Sequence, residues 1–260
     1  MAKTIPHWIN GSPEPGSSGN TGPVYDPATG KERARVSYAS AEDVDRAVAA
    51  ASAAFSDWRN TSLTNRTQIL FRFRNLLDGA KDELSEIISG EHGKTHPDAR
   101  GEVQRGLETV EFACGISQLL KGENSERVST GVNLSSVREP VGVVGCITPF
   151  NFPAMVPLWM TPIAIACGNT AILKPSEKDP STSNRLAELW SEAGLPDGVL
   201  NVVHGDRVAV ERLIEHPGVA ALSFVGSTPI ARAIYEKARD GYHPVASATV
   251  DEILGWPFGS

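Results

Sequence analysis

An asparagine between two aromatic rings, in Thr148-Pro149-Phe150-Asn151-Phe152-Pro153, is where this sequence first offers chemistry. The apolar run 141–147 before it predicts a buried strand, and the apolar stretch 154–167 after it predicts a helix. A side-chain amide at such a strand-to-helix turn can donate to an oxygen on which negative charge develops. Position alone favours a plainer role for Asn151, capping the helix that follows. A second motif, Ile172-Leu-Lys-Pro-Ser-Glu177, also follows a predicted strand. Lys174 past the strand end and Glu177 a turn later can both reach ribose hydroxyls. A carboxylate there repels a 2′-phosphate, favouring NAD over NADP. A surface ion pair is the ordinary alternative for these two residues. A third motif, Phe224-Val-Gly-Ser-Thr228, places Gly226 and Ser227 at the start of a predicted helix. Backbone N–H groups there suit a pyrophosphate, although Ser and Thr are also common helix caps. Three such turns point to one ligand lying across the carboxyl ends of a parallel sheet.

The elements that must hold these turns are legible. Strands are predicted at 141–147, 170–174, 199–203 and 220–225, and helices at 154–167, 181–193, 206–215 and 228–239. Gly194 stops one helix, and Pro196 keeps it from resuming. This alternation predicts a parallel sheet with right-handed crossovers. Upstream, Ser40 and Asp43 form a candidate capping box, followed by an apolar stripe of Val44, Val48, Ala51 and Phe55. Thr64 to Ile88 predicts a long helix, breakable near Gly79, with Leu70, Phe73, Leu77, Leu84 and Ile88 inward; Glu102 to Leu120 predicts another. Between Arg127 and Arg138 the pattern alternates around Gly131, which predicts an exposed antiparallel ribbon. After Arg239 no period is evident, and Ile253 to Phe258 is an apolar cluster without an assigned element.

Composition narrows the function classes. The chain has 260 residues, 40% hydrophobic, with a formal net charge of −7. That is ample for a core and argues against a nucleic-acid surface or an anionic membrane. The longest apolar run, Phe152 to Cys167, is short for a bilayer span and contains Pro153, Pro157 and Pro162. No N-terminal signal pattern is present. Cys114, Cys146 and Cys167 have neither disulfide nor metal spacing, so a soluble protein of the reducing cytoplasm is expected. Each thiol sits among apolar neighbours, where a reactive thiolate is disfavoured. His92 and His96 lie at i, i+4, but Gly93 and Pro97 weaken a helix there and no third ligand is at hand, so 91–96 reads as a solvated turn rather than a metal site.

The three motifs, in this order, resemble the aldehyde dehydrogenase superfamily. Gly122-Glu-Asn-Ser-Glu126, Ser136-Val-Arg-Glu-Pro140 and Asn151-Phe-Pro-Ala-Met-Val-Pro-Leu-Trp-Met160 resemble its CoA-acylating methylmalonate-semialdehyde dehydrogenases. The resemblance runs from about Trp8 to about Ala238. It implies an α/β fold: a Rossmann-type parallel sheet with flanking helices and an oligomerisation ribbon. Residues 1–122 would pack on the cofactor region, 123–140 form the ribbon, 141–239 bind NAD, and 240–260 diverge. The family's catalytic cysteine lies beyond the last residue, which implies a truncated enzyme lacking its catalytic domain. The complete family enzyme oxidises an aldehyde with NAD and passes the acyl group to CoA. In that framework Asn151 donates to the aldehyde oxygen. Thr148, Phe150, Lys174, Glu177, Lys178, Gly226 and Ser227 hold the cofactor, and Arg105 receives the substrate carboxylate through a bidentate fork. Read alone, Arg105 is a solvated helix residue. Two alternatives stay open: an inactive NAD-binding or subunit-contact module, and a non-functional, poorly folding fragment.

Overall fold

A computed structural model describes residues 3–240 and 245–249. The N-terminal stretch forms β1 (Lys3–Ile5), β2 (His7–Ile9), β3 (Ser12–Glu14), β4 (Thr21–Asp26) and β5 (Lys31–Ser37). Helices α1 (Ala41–Trp58), α2 (Leu63–Gly79), α3 (Lys81–His92), α4 (His96–Cys114) and α5 (Ile116–Leu119) follow. A hairpin, β6 (Asn124–Ser129) and β7 (Val132–Ser135), leads into the alternating region. That region runs β8 (Val143–Ile147), α6 (Met155–Ala166), β9 (Thr170–Lys174), α7 (Ser181–Glu192), β10 (Leu200–Val202), α8 (Arg207–Glu215), β11 (Val219–Gly226), α9 (Thr228–Asp240) and β12 (Val245–Thr249).

The main sheet has the order β12-β11-β8-β9-β10-β2-β3. The five strands from β12 to β10 pair in parallel; β2 and β3 continue the sheet antiparallel. The chain starts this parallel region at β8, builds outward through β9 and β10, then returns to place β11 and β12 on β8's other side. The strand order therefore reverses between β8 and β11. Side chains of α6 pack into one core and those of α9 into the other. Helices leaving these adjacent strands on opposite faces open a crevice beyond the strand ends.

Both faces of the sheet are covered. Along β9, Ala171 and Leu173 face one core and Ile172 the other, which explains a strand that reads as uninterrupted apolar sequence. The first core gathers side chains of α2, α4, α6 and α7, with Phe73 stacked on Trp190 at 3.6 Å between ring centres. The second gathers those of α1, α8 and α9. Two crossover helices are tied at both ends by charges from elsewhere. Glu102 Oε1 accepts from Ala154 N (2.8 Å) and Met155 N (3.1 Å) at the start of α6, and Arg66 Nη1 donates to Ala166 O (2.9 Å) at its end. Glu91 Oε2 accepts from Ser181 N (3.0 Å) at the start of α7, and Arg72 Nε donates to Ala193 O (2.6 Å) just past its end. Anion at the N-terminus and cation at the C-terminus satisfy end groups and complement the helix dipole.

Several predicted elements form as read. The Ser40–Asp43 capping box is present, Gly194 has the positive φ of a helix stop (87°), and Leu70, Phe73, Leu77, Leu84 and Ile88 are fully buried. The ribbon turns at Gly131 (φ 74°), and both its strands are exposed. The long helix of 64–88 is two helices parted at Gly79 and Ala80. The next begins at His96 rather than Glu102, because Thr95 caps it and Pro97 suits its first turn. The sequence predicts no element after Arg239, yet β12 pairs with β11 from Leu222↔Val245 to Gly226↔Thr249. Its small and β-branched residues carry no amphipathic period. What makes it a strand is the backbone ladder offered by β11. The 253–258 cluster lies outside the described residues.

Candidate functional site

Two of the three strand-end motifs meet at the crevice, and the third, carrying Glu177, borders a neighbouring opening. Phe150 and Asn151 form one wall and Gly226 and Ser227 the other, around about 420 Å³. Gly226 has a local reason to be glycine: a Cβ there would stand 2.4 Å from the Phe224 ring. Ser227 O accepts from Ala231 N at 2.9 Å, so α9 starts at the edge of the crevice. Thr148 N donates to Lys174 O at 3.1 Å, joining the ends of β8 and β9. The Thr148 hydroxyl is buried and has no hydrogen-bond partner among the described residues.

Lys174 is buried, with Nζ 3.4 Å from Glu177 Oε2. Burial pulls its pKa down, and the Glu177 carboxylate opposes that shift. An ammonium with one carboxylate contact keeps donor capacity in hand. A second opening, of about 350 Å³, brings Phe150, Glu177 and Lys178 together with Tyr25 and Tyr38. Lys178 Nζ sits 5.6 Å from the centre of the Phe150 ring. Phe150 borders both openings, with Glu177 on the second and the Asn151 turn on the first, while Lys174 is buried behind Glu177.

The 91–96 segment is not the solvated turn that its composition predicts. Glu91 is buried at the start of α7, and burial raises its pKa. His92 stacks on Phe150 with ring centres 4.5 Å apart. Lys94 donates to Asn151 O (2.6 Å), forms an ion pair with Glu102, and lies 4.2 Å from the centre of the Phe152 ring. None of these contacts was foreseen from sequence. One signal was available: Glu102 shares the buried stripe of Ala99, Val103, Gly106 and Val110 on α4. A carboxylate on an apolar helix face needs a partner. Asp179 was also missed. Its carboxyl is 1% exposed, and neither oxygen has a hydrogen-bond partner among the described residues. Burial and the neighbouring Glu91 push its pKa up to about 8.

Arg105 does not join this constellation. It is exposed on α4, with its Nε directed at Gly101 O (3.5 Å), and borders neither opening. The cysteines are poor nucleophiles. Burial pushes the Cys146 thiol up to about 12 and raises those of Cys114 and Cys167, although Cys167 is only partly buried. Among the described residues, no cluster of His, Cys, Asp and Glu is arranged to hold a metal, and no helix is long and apolar enough to cross a membrane.

The sequence profile of the aldehyde dehydrogenase family matches residues 14–249. The chain belongs to that family. This match carries the resemblance past Ala238 and through β12. Malonate-semialdehyde dehydrogenase of Pseudomonas aeruginosa is 53% identical over 232 residues, covering 89% of this chain and 46% of that protein. Malonate-semialdehyde dehydrogenase 2 of Geobacillus kaustophilus is 50% identical over 236 residues, 91% of this chain and 49% of its own length. The chain spans about half the length of the curated relatives it matches. Among solved structures, methylmalonate-semialdehyde dehydrogenase of Oceanimonas doudoroffii superposes with a TM-score of 0.93 at 49% identity, over 95% of this chain and 50% of that one. A Sinorhizobium meliloti protein assigned the same activity and solved with NAD gives a TM-score of 0.93 at 47% identity, with the same coverage.

Proposed function

We propose that this chain carries the cofactor-binding part of an NAD-dependent malonate- or methylmalonate-semialdehyde dehydrogenase of the CoA-acylating kind. The observation that carries this reading is the meeting of Asn151 and Ser227 across the switch-point crevice, with Lys174 and Glu177 at the next strand end. The residues fit a dinucleotide. Lys174 has donors to spare, Glu177 accepts from ribose hydroxyls, and the Gly226–Ser227 backbone at the head of α9 suits a pyrophosphate. Thr148, Phe150 and Lys178 complete the cofactor surface. NAD, when bound, supplies the hydride acceptor. The Asn151 amide stabilises the charge that develops on an aldehyde oxygen. The family resemblance alone assigns Arg105, which stands exposed on α4 outside both openings, to the substrate carboxylate, and CoA to the role of acyl acceptor. The β6–β7 ribbon is assigned to contact with a second copy.

A second reading, nucleotide binding without chemistry by this polypeptide alone, is favoured by the state of its three thiols. Purified protein supplied with malonate semialdehyde, CoA and NAD is expected to form no NADH above a heat-killed control. Calorimetry tests the shared core of both readings. NAD should bind with a dissociation constant no tighter than about 0.1 mM, or ~5.5 kcal/mol, and NADP no better. Glu177→Ala should weaken NAD about tenfold, equivalent to ~1.4 kcal/mol. Binding unchanged by Glu177→Ala would remove the assignment of the ribose site.

A further inference from the structure

The turn that carries Asn151 is gripped by one corner of the fold. Lys94 lies between α3 and α4, where Gly93 (φ 89°) ends the first helix and Thr95 caps the second. Its ammonium donates to Asn151 O at 2.6 Å, pairs with the Glu102 carboxylate, and rests against the Phe152 ring. Glu102 is 1% exposed, and its other oxygen takes Ala154 N and Met155 N. His92 stacks on Phe150 immediately before. From 150 to 155 nearly every residue is therefore held by α3, α4 or the link between them, although Asn151 itself is exposed. An amide that must meet a developing charge needs its backbone fixed beforehand, because reorientation during reaction would cost the stabilisation it supplies.

We propose that Lys94 and Glu102 are positioning residues, a linked cation and carboxylate that fix the 151–155 backbone and so aim the Asn151 amide into the crevice. The inference rests on the reading of Asn151 as an oxyanion donor, but the clamp is observable without any ligand. Glu102 binds the head of α6 and Lys94 binds the carbonyl one turn earlier. Their ion pair makes strand end, turn and helix start one rigid unit. Neither residue touches the reacting atoms in this scheme.

The test uses the 260-residue chain labelled with nitrogen-15, with the Asn151 side-chain amide signals assigned by their loss in Asn151→Asp. Lys94→Met should shift or broaden those signals and speed amide exchange at Ala154 and Met155 about tenfold, the scale of losing support at a charge-assisted hydrogen bond. Lys94→Arg should restore both. Lys94→Gln, which keeps a donor without the charge, should give a smaller displacement of the same sign and serves if Lys94→Met does not fold. Asn151 signals and exchange rates unchanged in both neutral variants would overturn the proposal. So would changes spread evenly across the protein, which mark general loosening. Failure of NAD to bind would count against the dehydrogenase reading and leave these ligand-free signals as they are.

Discussion

Asp179 and Lys174 are buried ionisable groups on either side of Glu177, and burial moves both towards neutrality. Lys174 keeps a carboxylate at 3.4 Å. Burial and then the Glu91 carboxylate raise the Asp179 pKa, Glu102 adds to the rise, and the Ser176 hydroxyl and Lys94 oppose it. Its folded pKa, about 8, lies above the ordinary 3.8. The folded state therefore holds the proton more tightly. Stability from this group is fully present below pH 3.8 and is lost progressively as pH rises to about 8. Asp179→Asn keeps a neutral side chain there, so it should melt higher than the parent at pH 8.5, with the gap closing towards pH 5. An unpaired buried polar group costs about 1–3 kcal/mol, which sets the expected scale. Thermal melts across that range check it, and a gap independent of pH would mean that Asp179 does not titrate there. Individual residues were legible unevenly. Asn151, Lys174, Glu177 and Ser227 announced themselves at strand ends. Lys94, Glu102 and Asp179 act through contacts across long sequence separations, which local pattern does not record.

Among elements, α4 and α6 govern the placement of the Asn151 turn, and they pack closely at Gly106. A Cβ there would lie 2.5 Å from Leu158 Cδ1 and 3.0 Å from Leu158 Cβ. Gly106→Ala should therefore push α6 away and cost about 1–3 kcal/mol, as overpacking does. Denaturant unfolding checks this. A control at Gly101, where nothing lies within 4 Å, should cost nothing or stabilise the helix. The parallel strands and their crossovers were readable because strands buried on both faces need unbroken apolar runs. The break near Gly79 was legible from the glycine itself, but the early start of α4 and the existence of β12 were not. Each depends on a cap or a backbone partner rather than on the periodicity of its own residues.

At the scale of the whole molecule, the apolar surface is uneven. On and beside the ribbon, Val128, Val132, Leu134 and Val137 are exposed, Leu134 by 61% and Val137 by 80%. A two-stranded ribbon is marginal by itself, and a row of exposed apolar residues marks a contact surface. The protein should sediment as an oligomer or a concentration-dependent mixture, and Leu134→Lys with Val132→Lys should shift it towards monomer while its secondary structure persists. The switch-point crevice, as a dinucleotide site, is the feature on which the proposed function turns. Hydrogen exchange of the full chain with and without saturating NAD measures that most directly. Slowed exchange is predicted at 148–151, 174–178 and 226–231 together. Protection confined to other segments, such as the opening between Thr4 and Arg185, or none at saturation, would contradict it.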